Sequence, residues 1–146
     1  MTENMLVYND YVKSEKKKLK VLLRKGAIDE IDYDTFYSDV FFTLANTKQI
    51  GYRVRDEDIV TVDQNVDASD TTGGIVWESA YLLLDYLIKT ECHGLNRGLN
   101  SPDRGIEGSS PLSVLDLGAG TGLLGLSLSR QNLKVTVTEY NENQTD

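Results

Sequence analysis

Residues 113–128 read Ser113-Val-Leu-Asp-Leu-Gly-Ala-Gly-Thr-Gly-Leu-Leu-Gly-Leu-Ser-Leu128, and this stretch decides the fold. Val114, Leu115 and Leu117 form the short apolar run expected of a parallel strand covered on both faces. Gly118, Gly120 and Gly122 then follow at every second position. Glycine permits positive φ in such a turn and removes the Cβ that would hold a ligand off the backbone. A helix opening directly after the turn aims its free N–H groups and its positive dipole end back at it. Strand, turn and helix together form a cradle for the polar part of a nucleotide-like ligand.

The spacing narrows the ligand. A dinucleotide fingerprint places its third glycine five positions after the first. Counted from Gly118 that position is Leu123, which argues against a nicotinamide-dependent oxidoreductase. The pattern present is Asp116-x-Gly118-x-Gly120-x-Gly122. The next strand, Lys134-Val-Thr-Val-Thr-Glu139, ends in an acid 21 residues after Gly118. A carboxylate at that strand end can accept both ribose hydroxyls. Asp116, the glycine turn and Glu139 point together to an adenosine-type ligand.

Around this centre the strand at 112–117, a helix at 122–131 and the strand at 134–139 make one βαβ unit, whose crossover should be right-handed. Asn132 is placed to close the helix in a left-handed conformation. Residues 93–111 contain both prolines of the chain among glycines and serines, and read as a flexible loop inserted before the central strand. Upstream, Thr71-Thr72-Gly73-Gly74 supplies caps for a helix from about Val76 to Lys89. Trp77, Ala80, Tyr81, Leu84, Leu87 and Ile88 make its apolar stripe, and Asp85 can pair with Lys89 at i+4. Ile59-Val-Thr-Val62 has the period of a strand, and Gln64 to Asp70 reads as a polar loop.

Residues 1–50 read as a helical extension packed on a main domain spanning 51–146. One helix should end near Gly26, and a second, capped by Asp34, buries Phe36, Tyr37, Val40, Phe41 and Leu44 and stops at Asn46.

Composition removes several functional classes. A hydrophobic content of 40% over 146 residues supports a globular core, and no apolar run is long enough to span a bilayer. The N-terminus lacks the basic flank and apolar run of a signal peptide, so a cytoplasmic protein is expected. Cys92 is the single cysteine, which excludes an internal disulfide. Cys92-His93 has no partners at metal-ligand spacing, so no metal site is expected. Ser109, Ser110 and Ser113 lie outside any G-x-S-x-G elbow, which leaves a hydrolase without support.

The net charge of −8 divides unevenly: residues 13–25 carry +6 and residues 26–146 carry −12. An acidic body disfavours nucleic acid and favours basic protein surfaces as partners. The basic cluster is a solvated helix face or a docking arm for an acidic partner.

The segment Thr72-Gly-Gly-Ile-Val-Trp-Glu-Ser-Ala-Tyr81, taken with Val114–Gly122 and Val135–Glu139, resembles the seven-β-strand protein-lysine methyltransferases of methyltransferase family 16. The resemblance covers roughly residues 58–140 and implies a Rossmann-like class I methyltransferase fold of the α/β class. The chain would carry that fold incompletely, as its first βαβ unit behind the N-terminal helical extension. It further implies S-adenosyl-L-methionine as cofactor and a lysine side chain of a protein substrate as methyl acceptor.

By the same resemblance Trp77 lines the cofactor pocket, although a tryptophan on an amphipathic helix is also a natural core residue. The Gly118-Ala119-Gly120 segment forms the turn under the methionine part, Gly122 completes the cofactor-binding motif, Asp116 orders that loop beside the cofactor's amino group, and Glu139 holds the ribose. Acceptor-side residues of the family follow a later strand. With the sequence ending at Asp146, no catalytic residue is assigned, and the chain by itself is expected to be an inactive, truncated form. The alternatives are a class I methyltransferase acting on a small molecule, and a non-catalytic product that binds partners. Oligomeric state is left open.

Overall fold

The computed structural model describes residues 5–67, 72–91, 113–131 and 133–140. Within these, five strands and four α-helices form a mixed α/β arrangement with two small sheets. The first sheet contains β1 (Met5–Val7), β2 (Gln49–Arg53) and β3 (Ile59–Asp63) in spatial order β1-β2-β3. β1 runs parallel to β2, and β2 pairs antiparallel with β3 in the register Gly51 to Thr61. The helices α1 (Tyr8–Arg24) and α2 (Tyr33–Ala45) form the crossover between β1 and β2. The second sheet pairs β4 (Ser113–Leu117) in parallel with β5 (Lys134–Thr138), joined by α4 (Leu123–Ser129). Between the sheets in sequence lie a 3₁₀ turn (Thr72–Gly74), α3 (Glu78–Tyr86) and a π-helical turn (Leu87–Glu91).

The helix ends follow local chemistry. α1 closes through Gly26, at φ 66°, whose amide donates to the Leu23 carbonyl at 3.1 Å. α2 begins two residues earlier than the sequence suggests. Asp32, not Asp34, is its cap, and the Asp32 carboxylate accepts from the amides of Asp34 and Thr35 at 3.0 and 3.1 Å. The Thr35 hydroxyl donates to the other Asp32 oxygen at 2.7 Å, and these bonds hold the Asp32 carboxyl below the usual carboxylate range. Asn46 closes α2 as expected.

Two strands are absent from the sequence reading of residues 1–50. Met5–Val7 is too short to show a period, and Gln49–Arg53 carries a glycine at its centre, so neither has a clear β signature. Partner strands make them, and β2 runs across the boundary placed at residue 50.

A single apolar cluster joins all parts. Tyr8, Phe36, Val40, Leu44, Ile50, Tyr52 and Val60 meet Tyr81 and Leu84 of α3 and Leu123 and Leu128 of α4. Tyr8 stacks on Tyr81 with ring centroids 4.6 Å apart. The Tyr52 hydroxyl donates to Asp85 at 2.8 Å, and burial pushes the phenols of Tyr8, Tyr52 and Tyr81 above their ordinary range.

The second sheet corrects an expectation. β4 is not covered on both faces among the described residues. Val114 and Asp116 turn toward α4, whereas Leu115 and Leu117 remain 58% and 73% exposed on the opposite face. The loop expected at 93–111, the caps at Thr71 and Asn132, and Cys92-His93 lie outside the described residues.

Candidate functional site

The glycine turn after β4 is built on three left-handed residues. Gly118, Gly120 and Gly122 have φ of 63°, 55° and 80°. At Gly120 space adds a second demand, because a Cβ there would stand 3.2 Å from the Gly73 carbonyl oxygen. The turn is therefore packed backbone to backbone against the 3₁₀ segment ahead of α3. The Ala119 amide donates to the Thr138 carbonyl at 2.9 Å, which fixes the turn to the end of β5. Gly122 sits at the N-cap of α4 and donates to the Ala119 carbonyl at 2.9 Å.

These contacts leave a cleft of about 440 Å³ at the carboxyl ends of β4 and β5. Trp77, Asp116, Gly118, Ala119, Gly120 and Glu139 line it, with Ile75, Ser79 and Leu83 on the wall opposite the turn. Of the residues expected from sequence, only Gly122 is not part of the lining. It shapes the turn from behind. The cleft falls within the size range of small-ligand sites, and its wall mixes apolar side chains with two carboxylates and turn amides.

Two polar features stand out. The Glu139 carboxylate accepts from the Gly120 amide through Oε2 and from the Tyr140 amide through Oε1, at 3.1 Å for the latter. A carboxylate has about four acceptor positions, so two remain for a ligand. Asp116 Oδ2 is buried and has no hydrogen-bond partner among the described residues. A buried carboxylate oxygen without a donor is costly and is a feature to be explained by what binds there.

Trp77 departs from its expected place on the helix. It is the N-cap of α3, with extended backbone (φ −74°, ψ 150°), and its side chain is 54% exposed. The helix stripe proper is Tyr81 and Leu84, both buried. Trp77 thus stands on the cleft wall instead of in the core. Asp85 and Lys89 pair at 3.0 Å, as the i+4 spacing predicts.

The family model described as lysine methyltransferase matches residues 54–145, more than half of the chain. The protein belongs to the lysine methyltransferase family. No curated protein matches the chain. The matched region of this lysine methyltransferase family member starts just after β2 and contains every element around the cleft.

Three residues that shape the site escape the sequence reading. Gln64, placed in a loop, is buried. Its amide donates to the carbonyls of Leu44 and Thr47 at 2.8 and 2.6 Å, and its oxygen accepts from the Val76 amide at 2.5 Å. It thereby fastens the segment leading into Trp77 to the end of α2. Gly125 lies inside α4, where a Cβ would approach Val137 Cγ2 to 2.5 Å and Asp116 Oδ2 to 3.1 Å. It lets α4 settle onto both strands. Gly73 gives the close approach to Gly120 described above. A glycine seven residues after Gly118 was a readable signal, as in any glycine that packs a helix onto its sheet. Gln64 offered none, because a polar residue after a strand is an ordinary loop signal.

Proposed function

We propose that the cleft binds S-adenosyl-L-methionine and that the protein transfers its methyl group to a lysine amine of a protein substrate. The observation that carries this reading is the convergence of Asp116, the Gly118–Gly120 turn, Glu139 and Trp77 on one cleft in a lysine methyltransferase family member. The parallel β4–α4–β5 unit, with its ligand crevice at the carboxyl strand ends, supports a Rossmann-like arrangement.

The residues fit the cofactor. Glu139 has acceptor capacity left for two ribose hydroxyls, and the orphaned Asp116 oxygen offers an acceptor for an ammonium group. The positive-φ turn leaves its backbone open to the methionine part, and the exposed face of Trp77 provides an apolar wall. Bound there, the cofactor supplies an activated methyl group on a sulfonium, which a neutral amine can accept. The chain's own contribution is alignment, together with an environment that favours the uncharged amine. Partial burial lowers a lysine pKa and exposes its nucleophilic form. The −12 carried by residues 26–146 suits a basic protein surface around the target lysine.

The test is calorimetric titration of the chain with S-adenosyl-L-methionine. Glu139→Ala should weaken binding by about 1.5–3 kcal/mol, the range for hydrogen bonds to a charged acceptor. That is roughly a 10- to 150-fold loss of affinity. No binding by the parent, or an unchanged dissociation constant for the variant, would overturn the assignment of the cleft. In a form of the protein that carries the family's acceptor-side strands, methyl label from the cofactor should be recovered as methyl-lysine in protein, whereas residues 1–146 alone are expected to transfer none. Recovery in the small-molecule fraction would overturn the acceptor class.

A further inference from the structure

A second cleft, of about 490 Å³, lies on the opposite side of α3 from the glycine turn and takes no part in the chemistry above. Its rim is Lys13, Lys16, Lys17 and Lys20 of α1, at i, i+3, i+4 and i+7, faced by Lys89 from the π-helical turn. Tyr8 and Tyr37 form part of its floor. Five ammonium groups thus surround a space holding one carboxylate, Asp85, which is already engaged by Lys89 and the Tyr52 hydroxyl. Lys16 is held in place: its Nζ donates to the Tyr37 hydroxyl at 2.6 Å and lies 5.0 Å from that ring's centroid. Lys13, Lys17 and Lys20 have no salt bridge among the described residues. Like charges at i+3 and i+4 destabilise a helix, so the arrangement is under electrostatic stress that an anion would relieve.

We propose that this cleft binds an acidic peptide segment of a partner protein. The lysines are strung over about 10 Å of helix at 1.5 Å per residue, which suits carboxylates distributed along a chain better than one compact phosphate. No arginine contributes the forked donor set typical of phosphate sites. Nucleic acid is disfavoured by the sequence pI of about 4.6, since a long polyanion would meet the acidic surface on either side. A bilayer is disfavoured because the apolar residues beside these lysines (Tyr8, Tyr11, Val12 and Leu19) are packed against the core, and the exposed Val21, Leu22 and Leu23 lie past the cleft at the end of α1. A short acidic segment reaches the lysines inside the cleft without either penalty. The site is separate from the methyl-transfer cleft, and its occupancy does not depend on the cofactor reading.

The test is fluorescence anisotropy of a labelled oligo-glutamate peptide titrated with the full chain. Saturable binding is expected, weakening as salt rises and raising the thermal midpoint of the protein. Lys13→Glu with Lys17→Glu should weaken it by at least about tenfold, the effect of setting like charges against the peptide. Arg24→Glu with Lys25→Glu makes the same change in net charge away from the cleft, and should leave affinity within about twofold if steering alone is affected. Lys17→Gln with Lys20→Gln, which adds no repulsion within α1, should also weaken binding and covers the case in which the first pair disturbs the helix. Equal losses from the cleft and control pairs would overturn the proposal, as would tighter binding of an oligouridylate or of phosphatidylserine vesicles than of the peptide.

Discussion

Placing a methyl group on Gly125 tests whether α4 is seated on the second sheet by the absence of a side chain. The Cβ of Gly125→Ala would lie 2.5 Å from Val137 Cγ2. Carbon–carbon contact is comfortable at about 3.5–4.0 Å, so helix and strand must part by roughly 1 Å or the valine must rotate. Overpacking of this kind costs about 1–3 kcal/mol. Alanine regains about 0.8–1.0 kcal/mol over glycine within a helix. The expected net result is a loss of about 1 kcal/mol, small in size but diagnostic in its partner.

The coupling identifies that partner. Val137→Ala removes the opposing methyl groups, and in that background Gly125→Ala should be neutral or stabilising by up to about 1 kcal/mol. The coupling energy between positions 125 and 137 should then be about 1–3 kcal/mol. Urea unfolding followed by far-ultraviolet circular dichroism measures all four variants, with unchanged m-values as the check on two-state behaviour. Additive effects, or a Gly125→Ala variant more stable than the parent while Val137 is present, would refute the reasoning.

Other outcomes follow from the same contacts. Gln64→Leu leaves the carbonyls of Leu44 and Thr47 and the Val76 amide without their partner, and should cost at least about 2 kcal/mol of stability in the same urea assay, since each buried orphan costs about 1–3 kcal/mol. Trp77 is the single tryptophan, so its fluorescence should change on titration with S-adenosylhomocysteine. Trp77→Phe should leave stability within about 0.5 kcal/mol, as for exposed positions, and a silent signal with a large stability loss would return Trp77 to a structural role. The Asp32 carboxyl is held below its ordinary value chiefly by the Thr35 hydroxyl. Its contribution is therefore present above about pH 4 and is lost as pH falls through the depressed folded value. Asp32→Asn should flatten the fall of thermal midpoint on the acid side, and parallel pH profiles for variant and parent would exclude the cap as its cause.

Local pattern carried the centre of this protein. The Asp116-x-Gly118-x-Gly120-x-Gly122 run needs positive φ at each glycine whatever surrounds it, so strand, turn and helix were legible from residue types alone. The acid after β5 was legible because the alternating run Lys134-Val-Thr-Val-Thr138 leads straight to it, 21 residues after Gly118. What sequence could not decide were features made by distant partners. β1 and β2 exist because they pair with each other and with β3, not because of their own propensity. Trp77 fits a helical stripe by spacing, yet after the 3₁₀ turn the helix starts only at Glu78, two residues later than expected, and the indole stands on the cleft wall. Gln64 became a buried clamp only when the ends of α2 and β3 and the start of α3 met around it. By sequence the lysines of α1 read first as a solvated face, until folding set Tyr37 and Lys89 across from them and turned one helix face into a cleft. Periodicity reports what a segment does with its own neighbours in the chain. The sites here depend on side chains and backbones brought together from separate segments, and only tertiary packing sets those distances.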